Sequence, residues 1–128
     1  METLIYPDAK AAVIAYLRPL VSVAVVSRVP HDRPAGFVRV LNAGGAGRVD
    51  PVLEEVALTV ESWDNDEPTA ERRAQLIRDH LRRAYTMGGH PVYGYSELGA
   101  PVDLPDESGQ CRYTWTFSLR MRPVNQLQ

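Results

Sequence analysis

One stretch near the end of the chain, residues 110–122, constrains the fold more than any other. Large apolar side chains occupy alternate positions of this stretch, with polar or charged side chains between them. The apolar set is Tyr113, Trp115, Phe117, Leu119 and Met121. A period of two indicates a β-strand with one buried face. Because burying each large apolar side chain contributes roughly 1.5–3 kcal/mol, this strand is expected to anchor a core. The opposite face is expected to meet water or another protein chain.

Two other stretches have the periodicity of α-helices. The first begins at Asp8, and the second is predicted to run from about Asp66 to Met87. Asp8 and Asp66 suit the capping position, with Glu67 as an alternative cap, and Pro68 suits the first helical position. The long helix places Ala70, Ala74, Ile77, Leu81 and Ala84 on one side. The glycines at 88–89 are expected to end it.

The remaining periodic stretches predict strands at residues 21–29, 36–42, 56–63 and 92–98. The glycine-rich residues 43–50 predict a flexible loop, and the tail 124–128 is expected to fray. The element order is then α-β-β-β-α-β-β. This order predicts an α+β fold with a mainly antiparallel sheet of about five strands and both helices packed on one face. Residues 1–128 are expected to form a single domain.

The composition argues against several classes of function. The formal net charge is −2, whereas a protein that holds nucleic acid needs a basic surface, so no sequence-specific nucleic acid is expected as a partner. The longest apolar run, residues 21–26, is too short to span a bilayer, and residues 1–7 lack the features of a signal peptide. No membrane partner is therefore expected. Cys111 is the single cysteine, which excludes an internal disulfide and favours a reducing compartment.

The residues that most often carry chemistry do not form a catalytic motif. The run 44–47 lies between two predicted strands, whereas a phosphate loop needs a following helix, so a hairpin tip is the preferred interpretation. The histidines His31, His80 and His90 lack metal-ligand spacing and are interpreted as surface or capping residues. Cys111 is interpreted as a small buried side chain. The sequence therefore predicts no enzyme, no cofactor and no metal.

Two charged clusters leave alternatives open. The acidic residues Asp64, Asp66 and Glu67 suit a cation, although a helix-capping turn is the preferred interpretation. The arginines of the second helix suit an acidic partner or a solvated face with local carboxylates. A solvated face is favoured over nucleic acid, and a protein partner stays open. These arginines are Arg72, Arg73, Arg78, Arg82 and Arg83.

Three stretches carry a resemblance to a known family. The first, residues 29–45, includes Val29-Pro30, Phe37-Val38-Arg39-Val40 and Gly44-Gly45. The second is residues 58–63 together with the helix that follows, and the third is residues 92–116. Together they resemble the tail terminators, or head-to-tail joining proteins, of tailed bacteriophages, especially those of actinobacterial hosts. The resemblance covers nearly the whole chain, and its motifs are structural.

The resemblance implies a structural virion protein without catalytic residues. It implies a ring of identical subunits, expected to be a hexamer, that caps the tail tube and joins it to the head connector. The implied partners are further copies of the chain, the tail tube protein and the connector or neck protein. The implied location is the tail or neck of the virion, with assembly in the host cytoplasm. The residues expected at partner contacts are Arg39, Gly44, Gly45, Gly47, Arg48, Arg112, Arg120 and Arg122.

Other functions stay open on the sequence alone. Another neck, head-completion or minor tail protein would have the same structural character. A small cytosolic enzyme would need a deep pocket with converging histidines or carboxylates. A monomeric binding module would not self-assemble at any concentration.

Overall fold

The computed structural model describes residues 2–50 and 52–127, which contain two helices and nine strands. In chain order these are β1 (Glu2–Ile5), α1 (Ala9–Leu17), β2 (Ala24–Val26), β3 (Phe37–Asp50), β4 (Leu53–Asp64), α2 (Glu67–Arg83), β5 (Thr86–Met87), β6 (His90–Glu97), β7 (Val102–Asp103), β8 (Cys111–Met121) and β9 (Val124–Leu127). The main sheet has the order β2-β3-β4-β8-β6-β5, and β7 also pairs with β8. The α+β class with two helices is therefore confirmed, but the strands outnumber the expected five or so.

The strand that dominates the sequence, β8, lies inside the main sheet. It pairs antiparallel with β4 along its whole length, from Asp64↔Cys111 to Glu54↔Met121. Its alternate apolar side chains are buried at Trp115, Phe117, Leu119 and Met121. The facing side chains of β4 that complete this layer are Val56, Leu58 and Val60. The predicted apolar face of the strand is confirmed, with Tyr113 half-buried at its margin.

Both helices bury an apolar side against this core. The core includes Val13 and Leu17 of α1 with Ile77 and Leu81 of α2. Each helix begins where the sequence predicts, because an aspartate accepts a hydrogen bond from the first turn. Asp8 accepts from the Ala11 amide at 3.0 Å, and Asp66 accepts from the Thr69 amide at 3.1 Å. Neither described helix is long and apolar enough to cross a membrane.

The predicted end of α2 at Met87 is wrong, since the helix ends at Arg83. Ala84 already has an extended backbone, and Thr86–Met87 forms β5, which pairs with β6. Met87 is 1% exposed, so pairing as a strand places this side chain in the core. The positive φ angles of the glycines at 88–89 form the β5–β6 turn instead of a helix cap.

The glycine-rich segment predicted as a loop at 43–50 is the second half of β3. Shifts in the register with β4 interrupt it between Asn42 and Gly44, between Gly44 and Gly47, and again near its end. Gly44, Gly45 and Gly47 have positive φ, which is the backbone conformation of a bulged strand. Glycine clusters mark both loops and bulges, and the sequence alone does not distinguish them.

The edge of the sheet near β2 also differs from the prediction. β2 spans only Ala24–Val26, instead of residues 21–29, and it pairs parallel with the start of β3. The other described pairings are antiparallel, so the sheet is mixed and not simply antiparallel. Arg18 Nε donates to the Val25 carbonyl at 3.3 Å, which covers part of this short edge strand.

The tail that was expected to fray forms β9, which pairs antiparallel with β1. The two strands make a separate two-stranded sheet, with Glu2 opposite Leu127 and Ile5 opposite Val124. The last residue of the predicted tail, Gln128, lies outside the described residues. The prediction failed because β1 has no clear strand periodicity, so no pairing partner was visible.

Candidate functional site

The face of the main sheet opposite the helices, here termed the helix-free face, carries an aromatic and arginine cluster. Phe37 and Trp63 are register partners, and their rings stack with centroids 5.0 Å apart. The guanidinium groups of Arg112 and Arg33 lie 5.1 and 5.6 Å from the centroid of the Trp63 ring. Such cation–π contacts stabilise the ring and shield it from water. Phe37 and Trp63 are thus almost fully buried on a face that has no helix above it.

Glu61 is the acidic residue that the arginines of this cluster surround. It accepts a hydrogen bond from Trp63 Nε1 at 3.1 Å, and its carboxylate lies 3.6 Å from Arg39 and 4.0 Å from Arg112. The structure therefore brings two of the predicted contact residues, Arg39 and Arg112, to one carboxylate. Each keeps about a quarter of its side chain exposed, at 27% and 24%. Sequence reasoning missed Glu61, because cross-strand register cannot be read from alternation.

Other predicted contact residues lie at the far end of the sheet, around Glu55. Gly47 of β3 and Arg120 of β8 are both register partners of Glu55 in β4. The Arg120 guanidinium lies 4.0 Å from the Glu55 carboxylate, which also accepts a hydrogen bond from Ser118 at 2.8 Å. The structure places Gly47 and Arg120 on either side of Glu55, six residues along β4 from Glu61.

Two further predicted arginines at this end rest on aromatic rings. The Arg48 guanidinium lies 4.9 Å from the ring centroid of Tyr6, and that of Arg122 lies 5.7 Å from the ring centroid of Tyr93. Both arginines are exposed. Exposed cation–π contacts contribute only about 0.5–1 kcal/mol. These two side chains are therefore available to a partner at small cost to the fold.

A charged group that the sequence did not reveal joins α2 to β6. Arg78 donates to both carboxylate oxygens of Glu97, at 2.7 and 2.6 Å, and the Tyr95 hydroxyl donates to Glu97 at 2.8 Å. The hydrogen bond from Arg78 is the main reason that the pKa of Glu97 is lowered. Burial, followed by the hydrogen bond to Glu97, raises the pKa of Tyr95 well above its ordinary value. Arg78 and Tyr95 donate to the Glu97 carboxylate, so these hydrogen bonds link α2 to β6 and stabilise the fold.

The acidic cluster at the start of α2 has partners within the chain. Asp66 caps the helix, as the preferred interpretation of this cluster predicts. Asp64 accepts a hydrogen bond from Arg73 at 2.8 Å, and Glu67 accepts one from the Tyr113 hydroxyl at 3.1 Å. Each carboxylate thus stabilises the fold.

The histidines and the cysteine do not converge on a reactive centre. Within residues 2–50 and 52–127, no three His, Cys, Asp or Glu side chains are placed to hold a metal ion. Cys111 is half-buried, and burial, followed by the carboxylates of Glu67 and Asp103, raises the pKa of its thiol. A raised pKa keeps the thiol protonated at neutral pH and therefore weakly nucleophilic.

Comparison with known proteins bears on the fold. No family model and no curated protein sequence matches the chain. Among solved structures, the chain is similar to one from the virion of native gene transfer agent (GTA) particle, with a TM-score of 0.67 and 22% sequence identity. The similarity covers 88% of this chain and 93% of that chain. The two proteins therefore share a fold over nearly their whole lengths.

Proposed function

We propose that this protein is a structural component of a phage-like virion. The observation that carries the proposal is the fold shared with a chain of the gene transfer agent virion, over 88% of one chain and 93% of the other. Coverage of this kind suits an equivalent subunit better than a small module carried by unrelated proteins. Because a shared fold does not by itself imply a shared function, the proposal is tested by experiments on virus particles.

Within the virion, we propose that the protein forms a ring that caps the tail tube and joins it to the head connector. The resemblance of the sequence to tail terminators supports this position. The main sheet supports it too, because its two ends differ. The aromatic and arginine cluster around Trp63 lies at one end, whereas the other end exposes Arg48, Arg120 and Arg122. An exposed basic end suits an acidic surface on a tube or connector subunit.

The first test is deletion of the gene from a virus that encodes this protein, followed by electron microscopy of the lysate. Without a terminator the tube has no signal to stop growing, so we expect overlong headless tails beside tailless heads. A copy of the gene supplied in trans should restore normal particles. Tails of normal length beside leaking heads would favour a head-completion role instead, and normal infectious particles would contradict the virion proposal.

The second test is the molar mass of the purified protein by light scattering over a wide range of concentration and salt. A hexameric ring of 14.3 kDa chains has a mass of roughly 86 kDa. We expect this species in solution or on the ends of added tail tubes. A stable dimer in both settings would contradict the ring.

A further inference from the structure

An apolar groove lies between α2 and the segment that leads from α1 to β2. It has a volume of about 310 Å³ and is lined by Leu20, Val21, Ser22, Thr69, Arg72, Arg73 and Leu76. Leu20 and Leu76 are 41% and 56% exposed, so the groove offers apolar surface to the outside. This surface is termed the α2 groove.

The α2 groove has an unpaired positive charge. Arg73 donates to Asp64 at 2.8 Å and is committed to the fold. Arg72 is exposed, and among the described residues no carboxylate lies within ion-pair distance of it. The groove therefore combines apolar side chains with one arginine that has no partner in its own chain.

A second apolar surface lies in the connection from β6 to β8, residues 98–107, here termed the acidic loop. Leu98, Val102 and Leu104 are 67%, 52% and 48% exposed. The segment contains no lysine or arginine. Asp103 and Glu107 are exposed, and within the described part of the chain neither has an ion-pair partner. Val102 and Asp103 pair with Thr114 and Tyr113, so the acidic loop presents apolar side chains on one face of β7 and a carboxylate on the other.

The two surfaces lie on opposite edges of the main sheet. Leu20–Ser22 precede β2, which is the edge strand beside β3. The acidic loop contains β7, which pairs with the side of β8 that faces away from β4. Four strand spacings of about 4.8 Å separate β2 from β7, or roughly 19 Å. Surfaces placed in this way are positioned to bind neighbouring copies on either side.

We propose that the acidic loop of one copy docks into the α2 groove of the next copy. This inference rests on the ring proposed above and names the surfaces that build it. The free edge of β7 enters the groove, so that Leu98 and Val102 cover Leu20 on one wall and Asp103, on the other face of β7, pairs with Arg72 of α2 on the opposite wall. Because the two surfaces differ, the contact is head to tail, and it leaves one free surface at each end of a row until the row closes into a ring.

Disulfide cross-linking tests the contact directly. Cys111→Ser removes the native thiol, and Arg72→Cys and Asp103→Cys are then added separately and together. After oxidation at high concentration, we expect the double variant to form a ladder of covalent oligomers that ends at the closed ring. An equal mixture of the two single variants should stop at the dimer, and each single variant alone should stay at least tenfold less cross-linked. Equal cross-linking of a single variant would indicate a symmetric contact and overturn the proposal, as would a double variant that stays monomeric.

Charge reversal provides an independent test by light scattering. Arg72→Glu and Asp103→Arg should each weaken self-association about tenfold, because each places like charges opposite one another. The two changes combined in one chain should restore association. Arg83→Glu makes the same charge change at the far end of α2 and should leave association unchanged, and thermal melts verify that every variant folds. Failure of the double variant to recover, or an equal effect of Arg83→Glu, would overturn the proposal.

Failure of this contact is distinguishable from failure of the proposed function. If the cross-linked ring forms but the deletion virus makes normal tails, the contact stands and the tail function falls. If the deletion gives overlong tails while the Arg72→Glu and Asp103→Arg variants complement it fully, the tail function stands and this contact falls.

Discussion

At Gly45 the backbone of β3 leaves no room for a side chain. A Cβ there would lie 2.5 Å from the Ala57 nitrogen and 2.7 Å from the Glu55 oxygen of β4. The neighbouring Gly44 also has a positive φ, yet a Cβ at Gly44 would have no atom within 4 Å. Both glycines need the left-handed backbone conformation, but only Gly45 also needs the space that a Cβ would occupy against β4. Substitutions at the two positions therefore distinguish the cost of the conformation from the cost of the steric clash.

Alanine substitutions at these glycines should differ in cost. We expect Gly44→Ala to lower the free energy of unfolding by about 1–2 kcal/mol, the cost of a positive φ for an L-residue. Gly45→Ala should cost at least about 3 kcal/mol, because β4 must also move away. Urea unfolding of both variants measures the difference. Equal losses would show that β4 does not pack against Gly45 in the folded protein.

Asp64 and Arg73 form the partly buried ion pair that ties β4 to α2. Burial alone would raise the pKa of Asp64, but hydrogen bonds from Arg73 and from the Asp66 amide outweigh it and lower the pKa below its usual 3.8. A carboxyl group whose pKa is lower in the folded state stabilises the fold above its unfolded pKa. That stability is lost as the pH falls from about 4 through the folded pKa.

Removing the arginine should therefore have a pH-dependent cost. At pH 7, Arg73→Met leaves Asp64 as a buried charge without its partner, and we expect a loss of about 2–4 kcal/mol in unfolding free energy. The difference between variant and wild type should shrink below about pH 4–5 as Asp64 becomes protonated. Urea unfolding at several pH values measures it, and the exposed neighbour provides the control Arg72→Met. A cost that does not change with pH would contradict the assignment of the charge to Asp64.

Among the elements, α2 depends on a local signal at its first turn. Asp66 accepts hydrogen bonds from the amide and the hydroxyl of Thr69, and it carries a negative charge at the positive end of the helix dipole. We expect Asp66→Ala to destabilise the protein by about 1 kcal/mol, as the loss of a helix cap does. The adjacent Asn65→Ala lacks this role and should change little. Thermal melts followed by circular dichroism compare the two, and equal shifts would contradict the capping role.

The elements that were predicted most accurately are those whose sequence pattern depends only on neighbouring residues. Alternation in β8, the apolar side of α2 and the capping residues Asp8 and Asp66 all depend on neighbours in sequence, and the structure confirms them. The second half of β3 and the pairing of β1 with β9 depend on partners distant in the chain, so periodicity did not reveal them.

The clusters on the surfaces were harder to predict than the elements. The contact of Arg78 with Glu97 and that of Arg33 with Trp63 join residues far apart in sequence, and register decides which side chains meet. The sequence did place arginines on the polar face of β8. It could not show that Arg112 rests on Trp63 while Arg120 stays largely exposed.

At the scale of the whole molecule, the exposed arginines at the Glu55 end of the main sheet lead to a test of docking. We expect Arg48→Glu to weaken joining of the tail to its neck partner and to lower the titre of a complemented deletion virus at least tenfold, because the charge changes sign. Thermal melts should show a fold that is nearly as stable, since the contact with Tyr6 is worth only about 0.5–1 kcal/mol. Arg82→Glu makes the same change of charge on α2 and is the control. If the Arg48 variant assembled normally, the proposal that this end of the sheet contacts the neck partner would be wrong.

The ribbon of β1 and β9 has a mechanical consequence. Glu2 is the register partner of Leu127, so both lie at the same end of the ribbon. A force that pulls these two residues apart therefore acts on one residue pair of the ribbon at a time. Under tension, an antiparallel ribbon pulled in this direction unzips step by step, whereas strands pulled along their length must break many hydrogen bonds at once. The ribbon would therefore open first and take up the strain, while the main sheet keeps its shape.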